Sequence, residues 1–307
     1  MLNTKRFSHR DGLPSNPVLT RRSALGAGLL GLSWGGLWGR AALAQDKSET
    51  PKLEPWDKAQ FDQRSTVIDN PWLPMAPGMR YVYEGSTAMN NGKQVPHRIE
   101  INITDLSKVI DGVRCRVSYD LDFSNGALEE AELALFAQDK VGNVWHLGQY
   151  PEEYENRKLT KAPAWIHGFE GARAGIMMKA QPALGAPSYS QGYGPAVGWT
   201  DRGQTHLMGQ SVKVRAGQFK DVLVIKETAA TEGDAFQLKF YAKGVGNIKV
   251  GWLGSDKTKE TLDLVRIQKL DIKAMDALRA QALKLEQSAY INSKNVYAKT
   301  APAERTE

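Results

Sequence analysis

Asp120, Asp122, Glu130 and Glu132 are the side chains of this sequence whose types and spacing best suit them to act together. One residue separates the members of each pair, so on extended backbone both carboxylates of a pair project from the same face. If the two segments are joined as a hairpin, four carboxylates share one patch of sheet, with Glu129 beside them at the loop. Such a patch offers the oxygen ligands that a hard divalent cation such as calcium takes up. Crowding of like charges can also raise one carboxyl's pKa far enough for acid/base catalysis. The competing reading is an ordinary solvated face, with Arg114 and Arg116 on the same side.

Other constellations are thinner. Beyond the first 44 residues the histidines are His97, His146, His167 and His206; none has the i,i+2 or i,i+4 spacing of a local zinc site, and no HExxH occurs. A histidine metal site would have to be assembled from distant segments. There is no G-x-S-x-G elbow, phosphate-binding loop or dinucleotide fingerprint, so no catalytic residue is assigned. A further candidate is an apolar pocket lined from Tyr81, Tyr83, Trp145, Trp165, Tyr189, Tyr193 and Trp252. A curved sheet whose side chains do not fill its interior leaves room for a lipid or another small apolar molecule, although rings at sheet positions also serve simply as core.

The element that must position the carboxylates is the stretch from Val113 to Tyr150. Val113, Cys115, Val117, Tyr119, Leu121 and Phe123 alternate with polar residues, the period of a half-buried strand. Turn signals at Asn125-Gly126 and from Asp139 to Asn143 make the stretch a three-stranded antiparallel meander. Parity then sets the register. A three-residue loop from Asn125 to Ala127 puts Tyr119 opposite Leu133 and Val117 opposite Leu135, and so Asp120 opposite Glu132 and Asp122 opposite Glu130. In the second hairpin, Gly142 in the left-handed position pairs Asp139 with Asn143, sets Ala137 and Leu135 against Trp145 and Leu147, and faces His146 toward Phe136.

Residues 69–78 hold three prolines, too many for helix or ladder, and read as an extended strap pinned by Trp72 and Leu73. Met79 to Ser86 and Val95 to Asp105 read as strands, with a turn at Asn90-Asn91-Gly92. Residues 156–217 carry ten glycines and four prolines with no sustained period, which predicts short or irregular strands. Four strands follow, Val222 to Thr228, Ala235 to Ala242, Gly246 to Leu253 and Thr261 to Leu270, with Glu232-Gly233-Asp234 among the turns. Asp271 is placed to cap an amphipathic helix over 271–290, which either packs on the sheet, plugs a barrel or pairs with a second molecule to build an assembly. About ten strands without βαβ alternation predict a mainly all-β fold over 69–270, a strongly curved antiparallel sheet forming a barrel, half-barrel or sandwich. Residues 45–68 read as a lead-in and 291–307 as a flexible tail.

The first 44 residues have the layout of an export signal. A basic leader precedes Thr20-Arg21-Arg22-Ser23-Ala24-Leu25, then a short glycine-rich apolar run, then Ala42-Leu43-Ala44 as a cleavage site. The run is too short to span a bilayer. Six Lys/Arg and one Asp fall here, so the chain's +6 charge shrinks to about +1 beyond it, and no basic stripe remains to bind nucleic acid. The single cysteine, Cys115, lies on the apolar face of its strand and reads as core.

Several ordered segments, Asp69 to Gly85, Phe136 to Gly148, Ala216 to Val224 and Tyr241 to Gly246, together resemble an uncharacterised family of exported bacterial β-rich proteins. The last two are similar to segments of half-barrel envelope proteins, which implies a curved sheet with a concave face. The stretch Gly194-Pro195-Ala196-Val197-Gly198 departs from the pattern where the resemblance implies acidic residues. The expectation is a periplasmic or secreted protein, exported by the twin-arginine route, that binds an apolar small molecule, a lipid or an envelope partner without catalysing a reaction. The alternatives are a calcium-type binding protein or metal-assisted hydrolase on the acidic face, and a structural subunit assembling through its helix.

Overall fold

A computed structural model describes residues 51–306 other than Asn90, Thr231 and Glu232. The expected export segment 1–44 and parts of the expected turns at 90–92 and 232–234 lie outside the described residues. The strands are β1 (Met79–Ala88), β2 (Gln94–Ile110), β3 (Val113–Ser124), β4 (Ala127–Gln138), β5 (Val144–Glu155), β6 (Lys158–Lys161), β7 (Trp165–Ile166) and β8 (Gly175–Met178). They continue as β9 (Tyr189–Ser190), β10 (Arg202–Val214), β11 (Gly217–Thr228), β12 (Ala235–Ala242), β13 (Gly246–Gly254), β14 (Thr261–Lys269) and β15 (Glu304–Arg305). One helix, α1 (Ile272–Asn292), follows β14.

All of these strands join one antiparallel sheet in the order β6-β5-β4-β3-β2-β1-β14-β13-β12-β11-β10-β9. Consecutive strands pair through short turns, and the chain returns to pair β1 with β14. The ladder does not close into a barrel. Its two ends approach through β7 and β8, both paired with β5, and through backbone hydrogen bonds between Arg173, just before β8, and Tyr193, just after β9. The sheet curves enough that Ala134 and Phe136 of β4 share a core with Val222 and Leu223 of β11, Tyr241 of β12 and Ile248 of β13. The strap closes one part of this interior: Trp72 and Leu73 are buried in the same core, and Asn70 Nδ2 donates to the Gly142 carbonyl at 2.8 Å.

The opposite face of β3–β5 is covered by the helix. Val117, Tyr119, Leu133, Leu135 and Leu147 pack with Leu278, Ala282, Leu285 and Ala289. Asp271 is the N-cap, its side chain accepting from Ala274 N at 2.8 Å. The apolar stripe of α1 from Leu278 to Ala289 is thus occupied by its own sheet, while Ile272 at its start is exposed. Lys108 pins the helix from β2: its buried ammonium donates to Glu286 at 2.8 Å, to Tyr290 at 3.0 Å and to the Ala301 carbonyl, and lies over the Tyr297 ring. Of the segment 291–307, expected as a loose tail, residues 291–306 are tied down instead. Val296 and Tyr297 are buried, and β15 pairs with β2 through Glu304 opposite Ser107. The lead-in is held too, with Phe61 and Ile68 in the core.

The expected register of the first hairpin is present: Val117 faces Leu135, Tyr119 faces Leu133, Asp120 faces Glu132 and Asp122 faces Glu130. The loop differs. Ser124 pairs with Ala127 across a two-residue turn, Asn125 and Gly126 both having positive φ, and a bulge after Asp122 restores the parity. In the second hairpin Asp139 pairs with Asn143, Ala137 faces Trp145 and Phe136 faces His146. Leu135, however, opposes Gly148 rather than Leu147, because a bulge lies between Leu135 and Phe136 in the ladder. β10 is a thirteen-residue strand where irregular structure was expected. Its three register irregularities against β11 and its largely half-exposed side chains hide the period-two signal.

Candidate functional site

The carboxylate face is an interior face, not a solvated one. Asp120 is 4% exposed, Asp122 3%, Glu130 7% and Glu132 1%. The covering helix occupies the apolar side of β3 and β4, so their polar side turns into the hollow of the curved sheet. Arg116, expected as a neighbour of these acids, is turned away from them. Its guanidinium donates to the carbonyls of Thr104 and Thr66 and to Thr306 Oγ1 at 2.8 Å.

Register extends the acidic patch by one residue that the sequence reading did not include. Glu130 faces Asp122 on one side and Glu153 of β5 on the other, so three carboxylates run across three adjacent strands. One layer deeper, Asp120 faces Glu132, whose other neighbour is Pro151. Like charges directly opposite one another are destabilising, and buried ones more so, so each must find a proton or a positive partner.

Some partners are within the chain. His97 on β2 is buried between Asp122, at 2.6 Å from Nε2, and Glu260, at 2.9 Å from Nδ1. Burial opposes its charge, but the two carboxylates outweigh burial and push its pKa up to about 10, so the ring is an imidazolium that hydrogen-bonds Asp122 through Nε2 and forms an ion pair with Glu260 on its Nδ1 side. Gln237 Nε2 in turn donates to Glu260. Lys239, fully buried on β12, bonds Glu227 at 2.8 Å, and Gln191 donates to the same carboxylate at 2.7 Å. Lys161 reaches Glu153 only at 3.9 Å. The deeper layer is least served. Burial raises Asp120 to about 7 despite a 2.5 Å hydrogen bond from Ser118, and burial with Glu130 and Asp120 nearby raises Glu132 well above the usual carboxyl range.

The shallower run opens into a hollow of about 620 Å³ between the β3–β4 and β5–β6 hairpin ends. Asp122, Glu129, Glu130, Glu153 and Glu155 line it, with Arg157 as the one basic lining residue among the described residues. Met89, Leu128 and Tyr154 supply apolar wall. Ser124 also lines it, and its hydroxyl is buried without a hydrogen-bond partner. A second hollow, of about 650 Å³, borders Glu84, His97, Arg98, Glu100 and Arg215. Its charges are already matched in pairs, Arg215 with Glu84 at 2.7 Å and Arg98 with Glu100, so it offers a ligand less unbalanced charge. Among the described residues no three His, Cys, Asp or Glu side chains are grouped so as to hold one metal ion.

The seven aromatic residues do not gather around one hollow. Tyr81 and Tyr83 belong to the core inside the sheet, Trp145 and Tyr189 to the core containing the helix, and Trp165 to a small cluster with Trp199. Tyr193 is half-buried beside Arg173, and Trp252 is 38% exposed with Lys259 over its ring. None of them lines either hollow. His146 stacks on Phe136 and meets Trp165 edge-on; burial lowers its pKa to about 3, so it is neutral.

His97, Glu153, Lys239 and Glu260 were missed by sequence reasoning. They come from β2, β5, β12 and the turn before β14, and only β2 carries a local hint, since His97 falls in phase with Val95, Ile99 and Ile101. No helix among the described residues is long and apolar enough to cross a membrane. No protein-family model matches the chain, nor does any curated protein. Two solved structures are similar to it. One is an inferred exported protein with a YmcC-like fold from Bacteroides fragilis, 12% identical, with a TM-score of 0.37, over 64% of this chain and 99% of that one. The other is an inferred lipoprotein from Parabacteroides distasonis, 9% identical, with a TM-score of 0.35, over 65% of this chain and 100% of that one. Likeness of this degree assigns no activity, ligand or partner.

Proposed function

We propose that this is an exported, non-enzymatic binding protein whose acidic hollow takes the cationic end of a small amphiphilic molecule, with an alkyl diamine or polyamine as the model ligand. The observation that carries the reading is the run Asp122–Glu130–Glu153 on adjacent strands, opening into a hollow whose wall is otherwise partly apolar. Carboxylates bind an ammonium through charge-assisted hydrogen bonds, and Met89, Leu128 and Tyr154 suit the methylene chain between charges. The carboxylates are spread around the hollow rather than converging on a point, which suits an extended organic cation better than one bare ion. Export is supported by the twin-arginine-like leader and its cleavage site.

Calorimetric titration of the chain lacking residues 1–44 with octanediamine, uncharged octanediol and calcium chloride tests this. The expected result is binding of the diamine alone, weakened about tenfold or more by a Glu130→Gln/Glu153→Gln double variant, since each charge-assisted bond contributes roughly 1.5–3 kcal/mol. Equal binding of the diol would move the site to an apolar pocket. Preference for calcium would restore the metal reading of Asp120, Asp122, Glu130 and Glu132.

A further inference from the structure

We infer that taking up a cation in the acidic hollow expels protons from the two carboxyl groups behind it, Asp120 and Glu132, so that the site captures ligand at higher pH and releases it at lower pH. The inference rests on the binding reading above and adds its regulation.

The geometry is a two-layer stack of acids. Asp120 and Glu132 stand opposite each other, and each is two residues along its own strand from a member of the outer run, a rise of roughly 7 Å. Both oxygens of Glu132 lack a hydrogen-bond partner at 1% exposure. A buried, unpaired carboxylate is too costly to persist, so in the empty site this group is held neutral by a proton. The groups that face the pair come from every neighbouring element. β3 contributes Asp122, already bonded to His97 of β2, and β4 contributes Glu130. Tyr83 of β1 lies near enough for the charge of Asp120 to act on its hydroxyl. Lys239 of β12 acts electrostatically on Glu132, but its ammonium is ion-paired with Glu227 of β11. The β5 residue opposite Glu132 is Pro151 and the β2 residue opposite Asp120 is Ile101, neither of which is charged. Among the described residues, the ammonium that acts on Glu132 is therefore already committed to another carboxylate. Burial sets them apart from ordinary acids, with Asp120 up at about 7 and Glu132 higher still.

A positive charge entering the outer layer lies within the range at which a low-dielectric interior transmits it strongly. It favours the ionised form of both inner carboxyls, and the O–H bond that breaks sends its proton to solvent. No other bond changes. By linkage, the same coupling makes affinity rise with pH, by at most about tenfold per unit for each proton released.

The experiment is titration of the chain lacking residues 1–44 with octanediamine in two buffers of different ionisation heat, repeated from about pH 6 to about pH 8. The amines keep their own protons over this range. The expected result is a buffer-dependent heat showing net proton release, with affinity increasing over the range. Glu132→Gln should reduce the number of protons released and flatten the pH dependence. Asp120→Asn serves as the second variant should Glu132→Gln fail to fold, and the wild-type comparison decides the matter without either. Diamine binding with the same heat in both buffers overturns the proton coupling and leaves the binding reading standing. Absence of diamine binding at every pH overturns the binding reading and the coupling together.

Discussion

His97 carries the edge of the acidic ladder, because its imidazolium is the counter-charge for both Asp122 and Glu260 and its side chain is fully buried. Replacing it by Gln leaves two buried carboxylates short of a cation, which should cost about 3–5 kcal/mol near neutral pH. The pH dependence follows from the direction of the shift. Its folded pKa of about 10 lies above the unfolded value of 6.5, so the stabilisation is complete below 6.5 and is lost as pH rises toward 10. Denaturant unfolding of wild type and His97→Gln should therefore show a difference that is large at pH 6 and shrinks steadily above about pH 7. Asp120 behaves differently. Its folded value, about 7, lies above the usual 3.8, so its contribution is most favourable below 3.8 and worsens as pH rises to 7. Asp120→Asn should accordingly gain stability relative to wild type between about pH 4 and pH 8 when no cationic ligand is present. Melting temperatures across that range check it, and a difference that does not change with pH would show that Asp120 is ionised throughout. The four carboxylates and their pairing were readable from period and parity. Their counter-charges were not, since His97 and Lys239 come from β2 and β12, which no local pattern places beside them.

At the scale of elements, the helix and the strand beneath it are joined by the buried ion pair of Lys108 with Glu286, by the partly buried pair of Arg279 with Asp105 at 2.6 Å, and by an apolar seam. Desolvation lowers the Lys108 pKa while Glu286 holds it up, so the ammonium depends on that partner. Lys108→Ala should cost about 3–5 kcal/mol by leaving Glu286 buried and unpaired, whereas Lys108→Met with Glu286→Leu should recover most of that loss. A double-mutant cycle by urea unfolding measures the difference, and additive losses would mean the pair is not coupled. Leu278→Ala, at 1% exposure in the same seam, should cost about 2–5 kcal/mol. Asp271 and the apolar stripe announced this helix in the sequence, because caps and 3.6-residue periods are local properties. Strand register was also readable, but turn lengths were not. The bulges after Asp122 and between Leu135 and Phe136 each absorb a residue, so different combinations of loop and bulge give the same parity. The ordered tail escaped notice because its single pairing, β15 on β2, is two residues long.

Taken whole, the molecule is a sheet with two covered faces. Helix and tail cover the outside of one half, and the two halves of the sheet cover each other inside. Period-two alternation distinguishes an apolar face from a polar one but does not say what the polar face meets, which is why acids expected in water are interior groups. The interior is consequently uneven, apolar around Tyr83, Ile99 and Ile248 and acidic toward the hairpin ends that border the hollow. This unevenness separates ligands by charge. A cation that binds only the folded chain stabilises it by mass action, about 2.7 kcal/mol at a hundredfold excess over its Kd. For a domain of this size that corresponds to a rise in Tm of roughly 5–10 °C. Octanediamine should produce such a rise, larger at pH 8 than at pH 6 because the acids that receive it must be ionised. Raised ionic strength should diminish the rise only in part, since charges inside the hollow are screened less than those on the surface. Octanediol, which has the same chain without the charge, should leave Tm unchanged; an equal rise with the diol would place the binding energy in the apolar interior instead.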